Sequence, residues 1–150
     1  MRPVNVRRAA SAEDVCEATA VWLRARDAAV PAIPPRTHDD DDVRRWFAAV
    51  NATERELYVA QAAGGSIVGV MVLHHDWLDQ LYVDVGWTGR GIGSECLTLG
   101  KRLRPDGLQL WAFQSNAGAR RFYERHGFRA IQFTDGDNEE RQPDVRYVWP

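Results

Sequence analysis

Hydrophobic positions along this chain change period several times, and each change marks an element. Val15, Ala18, Trp22 and Ala25 recur at helical spacing, which predicts a helix with one buried face. Ser11 stands ahead of it as an N-cap, with Asp14 in the place of a capping-box acid. Pro31, Pro34 and Pro35 then break the chain into a loop. A second helix starts near Asp39 and carries Val43, Trp46, Phe47 and Val50. Beyond it the pattern reads as strands at 57–60, 66–73 and 77–85, with Gly64-Gly65 as a turn. These can form an antiparallel meander. A helix follows over 94–103, a turn at Pro105-Asp106-Gly107, a strand over 108–113 and a helix from Asn116 to His126, stopped by Gly127. Strands at 128–133 and 145–149 close the order, and 3–8 reads as a short strand that opens it. The succession β-α-α-β-β-β-α-β-α-β-β predicts an α/β (α+β) fold: a mixed sheet with helices on its faces.

Composition narrows this picture. The chain has 150 residues, 45% hydrophobic and 27% charged, which suits one globular domain over 1–150 rather than two domains or a disordered chain. A formal net charge of −2 supplies no pull toward nucleic acid or an anionic membrane. Cys16 and Cys96 are far apart in helix-like contexts and are expected to be buried free thiols of a reducing compartment. Neither a signal-peptide core nor a run long enough to span a bilayer is present, so a soluble, cytoplasmic monomer or homodimer is expected.

The segment WTGRGIGSEC, residues 87–96, concentrates glycine between a strand and a helix. Helix N-termini present unpaired N–H groups and partial positive charge, and glycines ahead of them let an anion approach the backbone. Gly89, Gly91 and Gly93 supply that approach, and Arg90 adds a cation. A plain glycine-rich turn into a helix would have the same composition. A nucleoside-triphosphate P-loop needs a Gly-Lys-Ser/Thr ending, which GIGSE lacks. A dinucleotide fold needs its glycines after the first strand of a βαβ unit, whereas these follow a meander. What remains is a pyrophosphate on a different fold.

Two stretches together carry a resemblance. LYVDVGWTGRGIG (81–93) and SNAGARRFYERHGF (115–128) resemble motifs A and B of the GNAT superfamily of acyl-CoA-dependent N-acetyltransferases. The order of predicted elements matches as well, so the resemblance covers essentially the whole chain. It implies a mostly antiparallel central sheet with helices on both faces and acetyl-CoA as cosubstrate, without a metal. Gly89, Arg90, Gly91, Ile92, Gly93 and Ser94 would meet the pyrophosphate. Leu81, Tyr82 and Val83 would pair with the pantetheine arm through backbone groups, as an added strand does. The family usually has Arg or Gln where Thr88 stands, so weaker coenzyme affinity is expected.

The chemistry requires a neutral amine, a donor for the thioester oxygen and a proton for the leaving thiolate. By the resemblance Tyr123 is the acid, although a core aromatic is the plainer role for it. Asn116 caps its helix, and the family also bonds it to pantetheine. The Val83 amide is the donor to the thioester oxygen. Some relatives place a base where Trp111 stands, others near Asp76 and Asp79; Asp79 is the residue chosen here, with Glu139 and Glu140 of the 135–144 loop also able to reach the substrate mouth. The run HDDDD (38–42) reads either as a first helical turn that suits the dipole or as a cation-attracting lip. The lip favours a small cationic amine as acceptor, ahead of a protein N-terminus or lysine, by direct attack in a ternary complex. A non-catalytic acyl-CoA-binding module is the rival. His74-His75-Asp76 is not read as a metal site, because neighbours on a strand point to opposite faces.

Overall fold

The computed structural model describes residues 4–150; Pro3, expected to open the first strand, lies outside them. Within the described residues the elements follow the predicted order. They are β1 (Val4–Arg8), α1 (Ala12–Ala28), α2 (Asp40–Ala48), β2 (Arg55–Ala62), β3 (Ile67–His74), β4 (Trp77–Val83), α3 (Ile92–Leu103), β5 (Leu108–Phe113), α4 (Ala117–Arg125), β6 (Arg129–Phe133) and β7 (Asp144–Trp149). Two differences matter. A short 3-10 turn at Val50–Ala52 leads into β2, and α3 starts at Ile92 rather than at Ser94.

All seven strands join one sheet in the order β1-β2-β3-β4-β5-β7-β6. Every pairing is antiparallel except β4 with β5. Alternation along β2 and β3 divides the interior into two layers. Leu57, Val59, Val70 and Val72 pack under α1 and α2 with Ala18, Val21, Val43 and Phe47. Tyr58, Ala60, Met71 and Leu73 face the other way, against Ile92, Cys96 and Leu97 of α3 and against Phe128 and Tyr147. Covered on both faces, β3 is apolar at nearly every position and hides almost all of its length.

Gly69 is where this crowding is tightest. A Cβ there would lie 3.0 Å from Ala60 Cβ and 3.2 Å from Ile92 Cγ2. Gly69→Val therefore overpacks the seat of α3, at about 1–3 kcal/mol. A Tm lower by roughly 3–10 °C in thermal unfolding is expected, at about 3 °C per kcal/mol for this size.

The start of α1 is held by a compact polar cluster. Ser11 Oγ accepts from the Asp14 N–H at 3.1 Å. Asp14 Oδ2 accepts from Arg7 Nη1 and from the Ala10 N–H, each at 2.8 Å. The capping box is thus shifted by one residue, its acid reaching Ala10. The Arg7 hydrogen bond, helped by Ala10, holds the Asp14 carboxyl down at about 2, against an ordinary 3.8. A depressed carboxyl contributes stability above its unfolded pKa and loses it as pH falls through the folded one. Denaturant titrations should show that contribution vanishing between about pH 4 and pH 2, and Asp14→Asn should lack that step.

The two cysteines differ from expectation. Cys96 is buried, but Cys16 is exposed on the outer face of α1. No helix among the described residues is long and apolar enough to cross a membrane.

Candidate active site

The site begins with a failure of sheet pairing. β4 and β5 meet at one register position, Trp77 opposite Gln109, supported by the Gln109 N–H donating to the Asp76 carbonyl at 2.9 Å. Beyond it the strands part. On its other edge β4 carries a bulge: Gln80 pairs with Val72 and Leu78 with Leu73, which leaves Asp79 without a partner in β3. A bulge bends its strand and sharpens the twist, turning β4 away from β5. The Asp84 N–H donates to the Val68 carbonyl, which sets the antiparallel alternation. Tyr82 and Gln80 therefore bond to β3, while the N–H and C=O groups of Leu81 and Val83 face the gap. Tyr82 is thus not a backbone partner for pantetheine, contrary to the expectation for all three residues. Its backbone serves β3, and its side chain lines the cavity on the α1 face.

α1 fixes this half-free strand from one side. Trp22 Nε1 donates to Gln80 Oε1 at 3.0 Å, its ring meets that of Tyr82 at 5.8 Å, and Arg24 donates to both carboxylate oxygens of Asp84.

At the end of β4 the glycine loop turns into α3. Gly89 and Gly91 have φ of 74° and 80°, a region costly for other residues, and a Cβ on either would meet nothing within 4 Å. The space above the loop is open. Gly91 is the N-cap and offers no side chain, whereas α1, α2 and α4 are each capped by a side chain, from Ser11, Asp39 and Asn116. The first bond into α3 runs from the Glu95 N–H to the Gly91 carbonyl, so the N–H groups of Ile92, Gly93 and Ser94 have no acceptor within the helix. This bare terminus suits an anion. Gly93 has a different duty from its neighbours: a Cβ there would lie 3.3 Å from the Phe122 ring, so it lets α4 pack close. The Ser94 hydroxyl is spent on His126 Nε2 at 3.0 Å. His126 Nδ1 faces the Phe122 carbonyl, which can only accept, so in the neutral ring Nδ1 carries the proton. Arg90 lies over the Trp87 ring, 4.7 Å from its centroid.

α4 carries Asn116 at its N-cap and Tyr123 on its packed face. Asn116 Oδ1 caps the helix by accepting from the Ala119 N–H at 3.2 Å. The Tyr123 ring packs edge-on against Phe122 and Phe128, yet its hydroxyl has no hydrogen-bond partner among the described residues. Burial, with a smaller contribution from the nearby Tyr82 phenol, raises its pKa well above the ordinary value. Core aromatic and protonated donor are therefore compatible roles.

On the α1 and α2 side of β4 opens a cavity of about 950 Å³. Trp22, Trp46, Phe47, Tyr82, Trp111 and Phe113 form its apolar lining. Its charged groups are mostly matched. Arg55 Nε donates to Asp79 Oδ2 at 2.9 Å, Arg45 pairs with Asp42, Arg36 bonds Asp27 and Asp40, and His38 meets Glu139 at 3.1 Å. The acidic run is therefore no free lip. Asp39 caps α2, Asp40 and Asp41 contact Arg44, and of the four aspartates Asp42 alone lines this cavity.

A family model described as an acetyltransferase (GNAT) domain matches residues 53–130, from just before β2 into β6, and so includes both the glycine loop and α4. This chain belongs to the GNAT acetyltransferase family. Solved structures agree over nearly the whole chain. The apo form of YjaB from Escherichia coli is 25% identical, with a TM-score of 0.80 and 97% of each chain covered. PaiA N-acetyltransferase from Thermoplasma acidophilum, in complex with coenzyme A, is 15% identical with a TM-score of 0.70 and 97% of each chain covered. A structure described as histone acetyltransferase HPA2 and related acetyltransferase, from Corynebacterium glutamicum, is 20% identical, with a TM-score of 0.73, covering 99% of this chain and 96% of its own. No curated protein matches the chain.

The sequence anticipated the glycine loop with its bare helix terminus, but not what surrounds the cavity. Asp79 does line the cavity, but its Oδ2 is held by Arg55. Trp111, at the position where some relatives carry a base, is half exposed and stacks on Trp77 at 6.3 Å. Arg26, Arg55 and the Tyr82 side chain line the cavity and were not anticipated; no motif marks them. The alternation argument about His74 and His75 also fails. His75 has φ of 55°, the two rings lie 4.5 Å apart, and Glu54 meets His75 at 2.7 Å. These three are separate from the lining of the cavity.

Proposed function

We propose that this protein, acting as one domain, transfers an acetyl group from acetyl-CoA to the primary amine of a small molecule, by direct attack in a ternary complex. The observation that carries this reading is the gap between β4 and β5. It has an uncapped helix terminus beside the end of β4 and an apolar cavity with charged groups on the α1 side. A thioester lying in the gap would join the two. PaiA, of the same fold, is described with coenzyme A bound, which supports the coenzyme assignment. In this reading the N–H groups from Gly89 to Ser94, with Arg90, hold the pyrophosphate, and Asn116 and the backbone of Leu81 and Val83 hold the pantetheine.

The residues then divide the work. The Val83 N–H donates to the thioester oxygen as charge develops on it. Glu140 takes the proton from the acceptor nitrogen as the C–N bond forms. Tyr123 gives its proton to the sulfur as the C–S bond breaks, and solvent restores it. Glu140 is preferred to Asp79 as the base because Arg55 already occupies Asp79, and to Glu139 because His38 occupies that residue. Cys96 takes no part as a nucleophile: it is sealed in the core, and burial pushes its thiol up to about 12.

The test is release of free CoA from acetyl-CoA across a set of small amines. Amine-dependent release is expected. Binding of acetyl-CoA without release from any amine would make the protein a coenzyme-binding module.

A further inference from the structure

Two charged groups of the acceptor cavity stand apart from the matched pairs. Arg26 and Glu140 line it without an oppositely charged bonding partner among the described residues. Arg26 is only 6% exposed, and its Nη1 donates to the Pro34 carbonyl at 2.7 Å. The rest of its fork of donors has no bonding partner among the described residues. Among the described residues no side-chain nitrogen or oxygen sealed from solvent lacks a partner, so those remaining nitrogens are reached from the cavity. Withdrawing a guanidinium from water without a counter-ion is costly, and the cavity's other arginines each have one. Glu140 lines the same cavity, no ion pair joins it to Arg26, and the two act with opposite sign on the Tyr82 phenol. The cavity thus offers one unmatched cation and one unmatched anion, both beside a residue of the strand that borders the gap.

We infer that the acceptor is a small amino acid bound as its zwitterion: Arg26 holds the carboxylate, and the ammonium beside Glu140 gives up its first proton to solvent before the neutral amine attacks. A guanidinium is the side chain best shaped for a carboxylate, by paired N–H donors. The inference rests on the reading of this cavity as the acceptor site and adds the chemical class of the acceptor. A cationic amine without an acid group would leave Arg26 unmatched and would be repelled by it.

The experiment compares amino acids with their decarboxylated amines: phenylalanine with phenethylamine, lysine with cadaverine, methionine with 3-methylthiopropylamine, and so through the common set, with CoA release as the readout. The acid member of at least one pair is expected to be preferred by about tenfold or more in kcat/KM. Arg26→Gln should raise KM for that substrate by about 10- to 100-fold and erase the preference, with kcat within a few-fold. Arg26→Lys should restore part of it. The Tm rise given by acetyl-CoA should persist in both variants and reports that they are folded. If Arg26→Gln does not fold, the paired comparison in the unmutated protein still decides. Equal use of both members, preference for the plain amines, or an Arg26→Gln variant that keeps the preference overturns the inference while leaving the acetyltransferase reading intact. Absence of release from every acceptor overturns that reading and this inference with it.

Discussion

Gly91→Asp is expected to abolish the rise in melting temperature that acetyl-CoA gives the unmutated protein. A ligand that binds only the folded state at a hundred times its Kd adds about 2.7 kcal/mol, or roughly 5–10 °C at this size. Gly91 is the N-cap of α3 with φ of 80° and no side-chain cap, at the point where the pyrophosphate would enter. An aspartate there puts a negative charge where an anion must come, and its own carboxylate can satisfy the bare N–H groups, as Asp39 does for α2. The backbone strain costs the variant itself about 1–2 kcal/mol of stability and so lowers its own Tm. The quantity to read is therefore the ligand-induced shift rather than the absolute Tm. Gly91→Ala separates the two effects. Its Cβ meets nothing within 4 Å, so it carries the strain without the charge and should keep much of the shift. A full shift in Gly91→Asp would place the pyrophosphate elsewhere.

Tyr123→Phe should lower kcat by about 10- to 1000-fold, the range for losing one general acid, while the acetyl-CoA shift stays nearly constant. The change deletes one oxygen from a ring that packs against Phe122 and Phe128, so little packing is lost. The raised pKa sets the pH behaviour. A phenol whose folded pKa lies above its ordinary value of 10.0 stays protonated through the neutral range and beyond. No loss of rate should therefore trace to its ionisation below about pH 10. Unchanged turnover in the variant would make Tyr123 a packing residue and water the acid.

The glycine loop, the proposed coenzyme half of the site, was legible in the sequence because it is built locally. A bare helix terminus is a matter of consecutive residues, so 87–96 announced it. Even there the order of neighbours was not enough to assign each part. Gly93 looked like a third cradle glycine, but only the approach of α4 reveals that its missing Cβ makes room for Phe122. The Ser94 hydroxyl looked available until His126, from the far end of α4, came to meet it.

The acceptor half was opaque for the opposite reason. The cavity collects α1, α2, β4, β5 and the 135–144 loop, segments that approach only after folding. The four aspartates of the acidic run looked like surplus charge, although Arg44 and Arg45 stand three and four residues on, at the spacing that pairs charges along a helix. Arg36 reaches both Asp27 and Asp40 through the turn of the chain between α1 and α2. Asp79 looked free because Arg55 is 24 residues away in sequence and arrives only through strand pairing.

Periodicity and capping by themselves determined the order of elements, the buried face of α1, and the loop with its anion-ready terminus. Each depends on residues within a few positions of one another, where spacing is geometry. Tertiary structure alone decided where β4 leaves β5, which backbone groups of Leu81 and Val83 face the gap, and which charges stay unmatched in the cavity. Those outcomes depend on register across the sheet and on which of nineteen cationic side chains meets which of twenty-one acidic ones. Arg26 remains without a carboxylate partner because α1 carries it into a cavity whose acids are engaged elsewhere or lie beyond its reach.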